Sequence, residues 1–311
     1  MCTPGSYLDF SAFLSRHFTG KVQKLSVDAG FSCPNRDGAL GRGGCTYCNN
    51  RTFRPAYCEP EVGITAQLEA GKRFFSRKYS EMNYLAYFQA YTNTYAALPR
   101  LQALYEEALR VEGVVGLVVG TRPDCVSDEL LDYLAALSRR VFVMVEYGVE
   151  SVSDETLLRV RRGHGFAASV SAIRRTAARG IPVGAHVILG LPGETEEDFL
   201  RQPVELSRLP LDTLKVHQLQ IVKGTEMARQ YAERPSDFRL FTPEAYAELI
   251  VSYLERLRPD IAVERFTSQA PAGLVLAPAW GWKNYQFANL VRRRLRERGT
   301  WQGRMWNSDG I

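Results

Sequence analysis

The segment Val141-Phe-Val-Met-Val-Glu-Tyr147 is apolar at nearly every position. A strand reads in this way when both of its faces are buried, either between two layers of helices or inside a barrel. We therefore predict that residues 141–147 form an inner strand of a parallel sheet.

Short apolar runs of the same kind recur on both sides of this segment and alternate with amphipathic stretches. This alternation is typical of repeated βα units around a parallel sheet. The predicted strands lie at 22–28, 84–90, 115–120, 141–147, 181–188 and 213–221, with a weaker seventh at 261–266. The predicted helices lie at 64–79, 98–110, 127–138, 167–179, 196–208 and 242–257, with starts marked by Ser127 and Thr242. We expect an α/β fold, a partial (βα)6 TIM-like barrel.

The bulk properties fit a single globular domain. The chain has 311 residues, of which 45% are hydrophobic and 23% charged. We expect one domain over residues 1–311, with a core barrel at about 20–225, an N-terminal extension and a helical C-terminal extension at about 226–311. The sequence shows no secretion signal and no apolar run long enough to span a bilayer, so we expect a cytoplasmic protein without a membrane partner.

The charge is mildly basic, with a formal net charge of +5. Arginines crowd two places: residues 159–162, and a C-terminal helix that holds five of them between Arg292 and Arg298. Such clusters can follow the phosphates of a nucleic acid, and they can equally form a solvated basic face.

Polar residues follow the predicted strands at their carboxyl ends, where the loops of a βα barrel gather on one face. In strand order, these residues are Gln89, Thr92, Asn93 and Thr94; Thr121, Arg122 and Asp124; Glu146 and Glu150; His186 and the run Gly190-Leu-Pro-Gly-Glu194; and His217, Gln218 and Gln220. We expect them to share one polar mouth.

The loop after the first strand holds three clustered cysteines, Cys33, Cys45 and Cys48, separated by eleven and two residues. Thiolates suit both zinc and iron–sulfur clusters. In the first interpretation Cys58 completes a structural four-thiolate zinc site. In the second, three thiolates hold a [4Fe-4S] cluster and leave one iron free for an exogenous ligand. A partly buried thiol without a role is a further interpretation of Cys58, and of Cys125.

The wider text around the cysteines resembles a known family. The resemblance rests on Lys24-Leu-Ser-Val-Asp-Ala-Gly-Phe-Ser-Cys-Pro-Asn-Arg-Asp-Gly38, Tyr87-Phe-Gln-Ala-Tyr-Thr-Asn-Thr-Tyr95, Gly120-Thr-Arg-Pro-Asp-Cys125, Arg162-Gly-His164 and Gly190-Leu-Pro-Gly-Glu194. Together with the cysteine trio, these stretches are similar to the radical S-adenosylmethionine (SAM) superfamily. Within it they resemble the YhcC/YtqA-type proteins, relatives of the radical SAM half of the elongator catalytic subunit.

The resemblance implies a barrel of the radical SAM type and an enzyme with two cofactors, a [4Fe-4S] cluster and SAM. Cys33, Cys45 and Cys48 would bind the cluster, and the resemblance identifies no other catalytic residue. The expected SAM contacts are Tyr47, Thr92, Asn93, Thr94, Arg122, Glu150, Arg162, Leu189 and Gly190. Many superfamily members carry a Gly-Gly-Glu type motif where this chain has 92–94, and Thr92, Asn93 and Thr94 are candidates to replace it at the SAM amino group.

Three hypotheses for the function follow. In the first, the elongator kinship implies that the enzyme modifies a tRNA base, such as the wobble uridine. It would receive electrons from a donor such as flavodoxin or ferredoxin. In the second, the same radical chemistry acts on a protein or a small metabolite. In the third, the chain is a noncatalytic, zinc-stabilised binding module. The sequence leaves the oligomeric state open.

Overall fold

The computed structural model describes residues 5–52, 54–76, 82–268 and 270–307. The strands are β1 (Val22–Val27), β2 (Asn83–Phe88), β3 (Val114–Thr121), β4 (Phe142–Glu150), β5 (Val183–Leu189), β6 (Thr213–Gln218), β7 (Ile221–Val222), β8 (Ala262–Arg265) and β9 (Val275–Ala277). The α-helices are α1 (Phe10–Leu14), α2 (Pro34–Asp37), α3 (Gly63–Ser76), α4 (Leu98–Leu109), α5 (Asp128–Ser138), α6 (Asp154–Arg159), α7 (Phe166–Ala177), α8 (Glu196–Ser207), α9 (Glu226–Glu233), α10 (Pro243–Arg256) and α11 (Asn284–Glu297).

Seven parallel strands form one sheet in the order β1-β2-β3-β4-β5-β6-β8. The sheet is strongly curled, as a contact between its two edge strands shows. Lys24 Nζ of β1 lies 2.5 Å from Glu264 Oε2 of β8. The central strand β4 is buried along Val143–Val149, as its apolar run predicts. The partial α/β barrel expected from the sequence is confirmed.

The helices cover the outer face of this sheet, and their starts follow ordinary capping chemistry. The hydroxyls of Ser127 and Thr242 accept hydrogen bonds from the amides of Leu130 and Ala245, which confirms both predicted helix starts. A continuous apolar core fills the space between the helices and the sheet. The loops at the carboxyl ends of the strands therefore stand on a rigid scaffold.

Several boundaries differ from the prediction. The strand expected at 213–221 ends at Gln218, and Ile221–Val222 pairs instead with β9 in a small antiparallel sheet. The weaker seventh strand predicted at 261–266 is confirmed as β8, and it joins the main sheet although it lies in the segment expected to be a C-terminal extension. Residues 77–79 of the helix expected at 64–79 lie outside the described part of the chain. No helix in the described ranges is long and apolar enough to cross a membrane.

The amino-terminal end of the barrel is closed by helix α1, which the strand and helix pattern did not predict. Phe13 of α1 is buried against an apolar layer of the barrel interior that includes Leu85, Val118, Met144 and Ala262. Because this end is filled, the open end of the barrel lies at the carboxyl ends of the strands, where the cysteine loop emerges.

Candidate functional site

A cavity that is partly open to solvent lies inside the barrel at the carboxyl ends of the strands. It is lined by eight of the residues expected at the site: Cys33, Cys45, Tyr47, Cys48, Thr92, Arg122, Glu150 and Arg162. Residues that are far apart in sequence therefore meet in one place, as the positions of the predicted strand ends suggested.

The cysteine loop is folded tightly by its own side chains and glycines. Cys33 caps the short helix α2, and Gly38 ends that helix with φ +98°, a left-handed conformation that favours glycine. Arg36 Nη2 donates to the carbonyl of Cys48 at 2.9 Å. Asn35 Nδ2 donates to the carbonyl of Arg161 at 2.5 Å, which ties the loop to the segment after α6. The three thiols are thus held at one wall of the cavity.

Amide donors and cations lie around the three thiols. Asn35 Nδ2 lies 3.5 Å from Cys45 Sγ, and Asn50 Nδ2 lies 3.9 Å from Cys48 Sγ. The guanidinium of Arg162 lies 3.8 Å from Cys45 Sγ, and that of Arg122 lies 4.0 Å from Cys33 Sγ. Amide donors and cations around thiolates stabilise a bound iron–sulfur cluster and tune its potential. The residues present therefore fit a [4Fe-4S] cluster held by Cys33, Cys45 and Cys48.

The two other described cysteines, Cys58 and Cys125, have partners of their own. Cys58 is buried, and its thiol donates to the carbonyl of Ser26 in β1 at 2.8 Å, so the geometry gives no support to a fourth thiolate ligand. Cys125 Sγ lies 3.8 Å from Asp124 Oδ1. Cys2 lies outside the described residues.

A bulge at the end of β4 brings Glu150 and Arg162 together. The guanidinium of Arg162 donates to the carbonyl of Gly148 at 2.5 Å and lies 3.7 Å from the Glu150 carboxylate. A Cβ atom at Gly148 would come within 2.5 Å of Glu150 Oε1 and 2.8 Å of Arg162 Nη2, so a larger residue here would displace these two side-chain ends. Burial raises the pKa of Glu150, although Arg162 and Arg122 act in the opposite direction.

Backbone strain is concentrated around the cavity. The non-glycine residues with positive φ in the described chain are Tyr91 (59°), Glu150 (67°) and Arg161 (55°). Tyr91 and Glu150 line the cavity, and the carbonyl of Arg161 accepts the hydrogen bond from Asn35. Strained conformations of this kind cluster at functional sites. Their placement supports the cavity as the active site.

Four of the expected SAM contacts lie outside the cavity lining. Asn93 is buried, and its amide donates to the carbonyl of Gly120 at 2.8 Å. Thr94 shares a hydrogen bond of 2.6 Å with Thr121. Leu189 is fully buried in the core, and Gly190 packs near the carbonyl of Arg239. Of the trio at 92–94, Thr92 is the residue that reaches the cavity.

A cluster of buried charges forms the floor of the cavity, beneath the cysteine loop and above the apolar layer at α1. Glu146 Oε1 lies 2.6 Å from Lys24 Nζ, and Glu146 Oε2 lies 2.5 Å from Lys215 Nζ and 2.9 Å from His186 Nε2. Glu264 lies 2.5 Å from Lys24 and 3.2 Å from Lys215. The strand-end residues predicted from the sequence include Glu146 and His186. They do not include Lys24, Lys215 and Glu264.

The buried carboxylate of Glu146 stays ionised at neutral pH. Burial raises the pKa of Glu146, but Lys215 and Lys24 outweigh burial and hold it well below its usual range. Burial lowers the pKa of Lys215 to about 8, against the pull of Glu146 and Glu264. Burial also lowers the pKa of His186 to about 4, so this imidazole is neutral at pH 7. We name this arrangement of Lys24, Glu146, Lys215 and Glu264 the charged floor.

The loop after β5 contains a carboxyl with a raised pKa. Glu194 is buried, its Oε1 accepts a hydrogen bond of 2.5 Å from Ser151, and burial raises its pKa from 4.5 to about 7. The folded protein then binds this proton more tightly than the unfolded chain, so the free energy of unfolding falls as pH rises from about 4.5 to about 7.

We expect Glu194→Gln to remove this fall in the free energy of unfolding, because the amide is uncharged at every pH. The variant should gain stability relative to the wild type across that pH window and keep the gain above it. Urea unfolding at a series of pH values measures the difference. Glu197→Gln, at an exposed position of helix α8, is the control and should follow the wild type. A constant difference between E194Q and the wild type at all pH values would contradict the assignment.

The arginines of α11 are largely paired with acidic side chains. Arg292 lies 3.2 Å from Asp9, and Arg294 lies 3.0 Å from Glu248 and 2.7 Å from Glu297. Arg298 also pairs with Glu248. Of the two interpretations of this cluster, the pairing favours a solvated face.

Comparisons with known proteins agree with this geometry. The sequence profile of the Radical SAM superfamily matches residues 38–201, and that of the Radical_SAM C-terminal domain matches residues 211–297. YtqA of Bacillus subtilis is 33% identical over 304 residues, which cover 98% of this chain and 94% of YtqA. YhcC of Escherichia coli is 36% identical over 302 residues, 96% of either chain.

More distant matches cover part of longer proteins. The tRNA uridine(34) acetyltransferase of Methanocaldococcus infernus is 25% identical over 189 residues, which are 60% of this chain and 34% of that protein. The solved structure of M. infernus Elp3 with an N-terminal deletion superposes with a TM-score of 0.67. It is 17% identical and covers 92% of this chain and 65% of that one, a likeness of fold.

The superfamily implies a [4Fe-4S] cluster and SAM as cofactors, and the cavity offers three thiols with donors arranged around them. The profile match spans half of the sequence, and the similarity to YtqA and YhcC spans almost all of it. The chain therefore belongs to the radical SAM superfamily and is a radical SAM enzyme.

Proposed function

We propose that this enzyme acts in the cytoplasm and modifies a base of tRNA, with the wobble uridine as the first candidate. Cys33, Cys45 and Cys48 would hold a cluster whose chemistry, when bound, would be the one-electron reductive cleavage of SAM to a 5′-deoxyadenosyl radical. The electron would come from a donor such as flavodoxin or ferredoxin.

The observation that carries the tRNA proposal is the similarity to the tRNA uridine(34) acetyltransferase, which spans 60% of this chain. The solved structure of M. infernus Elp3 has the same fold. The net charge of +5 is in the direction that RNA binding requires. The match covers 34% of that acetyltransferase, so we do not carry its acetyl transfer over to this chain.

The chain's own residues would orient SAM in the cavity. Arg162, fixed by the carbonyl of Gly148, presents a guanidinium suited to the SAM carboxylate. Tyr47 and Thr92 line the same cavity and would contact the rest of the cofactor. We propose that Asn93, Thr94, Leu189 and Gly190 act indirectly, since they shape the loops that bear these contacts.

Formation of 5′-deoxyadenosine tests the substrate class. We expect anaerobic turnover of the reconstituted enzyme with SAM and a reductant to accelerate when tRNA from cells lacking the gene is added. The same tRNA from cells that carry the gene is the control. It should stimulate less, because its target base is already modified.

Two results would remove the tRNA proposal: equal rates with both tRNA preparations, or identical modified nucleosides in tRNA from the two kinds of cells. Radical chemistry on a protein or a small metabolite would then be the favoured function. Added salt gives a second criterion, because binding dominated by phosphate contacts weakens steeply as the salt concentration rises.

A further inference from the structure

The cavity extends beyond the groups that would bind the cluster and SAM, down to the charged floor. The residues that face it there are Tyr87, Gln89, Glu146, His186, His217 and Arg265. None of them is among the expected cofactor contacts. This deeper part of the cavity therefore remains for the substrate.

The balance of charge in this part is positive. Lys24, Lys215 and Arg265 carry three positive charges against the two carboxylates of Glu146 and Glu264. Both carboxylates already form ion pairs, since each lies within 3.2 Å of both lysines. Arg265 brings the excess charge. In the described part of the chain, the carboxylate within reach of its guanidinium is that of Glu264, at 4.0 Å.

His217 stands beside this excess charge on the neighbouring strand. Its ring lines the cavity, and its buried Nε2 has no hydrogen-bond partner among the described residues. Burial, with a further contribution from Arg265, holds the pKa of His217 well below its usual range, so the imidazole is neutral at pH 7 and can donate one hydrogen bond. A buried ring nitrogen without a partner is costly unless a ligand completes it.

We propose that Arg265 and His217 form an oxyanion subsite that binds a carboxylate or phosphate group of the substrate. Arg265 presents two parallel N–H donors that match such a group, and His217 donates the third hydrogen bond. The proposal rests on the proposed function, and it adds which kind of charged group the substrate carries.

This subsite is separate from the groups that would hold SAM. Arg265 belongs to β8, whereas Arg162 is fixed to Gly148 of β4. Strand β8 is three places from β4 in the sheet order, a path of about 14 Å at ordinary strand spacing. SAM and the substrate oxyanion would therefore approach from different walls of the cavity.

Histidine NMR tests the subsite directly, because the chain has only four histidines. The sample is the reconstituted holoenzyme with 15N-labelled histidine, saturated with SAM and kept without reductant, so that the SAM sites are filled. Acetate and inorganic phosphate are titrated separately at constant ionic strength. The variant His217→Asn assigns the His217 signal by its disappearance.

We expect at least one of the two anions to shift the His217 signal saturably. The signal of His17, which packs against Phe13 at the closed end of the barrel, should not move. Arg265→Gln should weaken the binding at least about tenfold, and Arg265→Lys should fall between that variant and the wild type. Arg110→Gln, at an exposed position after α4, should match the wild type.

Saturation by acetate alone would identify a carboxylate, and saturation by phosphate alone would identify a phosphate. The proposal is wrong if neither anion shifts His217 saturably, or if R265Q binds as tightly as the wild type while its His17 signal shows an intact fold. The titration needs neither RNA nor turnover. The subsite and the tRNA proposal can therefore fail independently.

Discussion

Replacement of Cys45 by alanine is expected to abolish the iron–sulfur cluster. Cys45 is one of three thiols that face the cavity, and its Sγ lies within 4 Å of Asn35 and Arg162. A [4Fe-4S] cluster with three protein thiolates has no spare ligand, so the loss of one should prevent stable assembly. Anaerobic reconstitution should give about four irons per chain in the wild type and close to none in C45A.

The matched control is Cys58→Ser. Cys58 is ten residues past the cysteine trio, but its thiol contacts the carbonyl of Ser26 in the first strand. We expect C58S to assemble a complete cluster, with the brown colour and iron content of the wild type. Loss of bound metal in C58S, together with zinc in the wild type, would instead support a four-thiolate structural site.

Replacement of Glu146 by glutamine is expected to destabilise the fold severely. The carboxylate is almost fully buried, and it lies within 2.9 Å of Lys24, Lys215 and His186. Without it the two buried lysines share the single carboxylate of Glu264. Removing one partner of a buried ion pair typically costs about 3–5 kcal/mol, because the remaining charge stays buried. Urea unfolding of the wild type and E146Q measures this cost.

Asp128→Asn provides the comparison on the surface. Asp128 also pairs with two cations, Arg175 and Arg179, but its side chain is 66% exposed. Exposed ion pairs contribute little because water and salt screen them. We expect D128N to unfold close to the wild type. Equal losses of unfolding free energy in E146Q and D128N would contradict the prediction. They would mean that the buried ion pairs of Glu146 contribute no more to stability than the exposed pairs of Asp128.

Much of the fold could be predicted because the periodicity of apolar residues is local. Strand β4 reads as buried on both faces directly from residues 141–147, and Ser127 and Thr242 mark helix starts by their own chemistry. Strand β8 is a weaker signal because its sequence Ala-Val-Glu-Arg carries two charges. Glu264 pairs with Lys24 of β1 and Lys215 of β6, which are distant in sequence and which local patterns do not reveal.

The site was predictable to the extent that it depends on strand ends and on the cysteine loop. The cysteines, Tyr47, Thr92, Arg122, Glu150 and Arg162 meet in the cavity because parallel strands bring their carboxyl ends to one edge. Lys24 and Lys215 were missed, since each lies inside a strand, where a charge usually points to solvent. One signal could have indicated them. Each is a lysine within an apolar strand, and another strand carries a glutamate that could pair with it.

The barrel interior consists of three layers between its closed end and its open end. Helix α1 fills the closed end with apolar side chains, and the charged floor above it holds Tyr87, whose hydroxyl lies 2.9 Å from Lys215 Nζ. The cavity lies above the floor, and the cysteine loop forms its upper wall. An intermediate formed near the cysteines would thus face a cavity that is closed at its floor and partly open to solvent at the opposite end.

Formation of 5′-deoxyadenosine in anaerobic mixtures of the reconstituted enzyme, SAM and a reductant tests the central claim most directly. The account predicts that the wild type and C58S form this product and that C45A forms none. It would be contradicted if the wild type, loaded with about four irons per chain, released no 5′-deoxyadenosine, or if C45A released as much as the wild type.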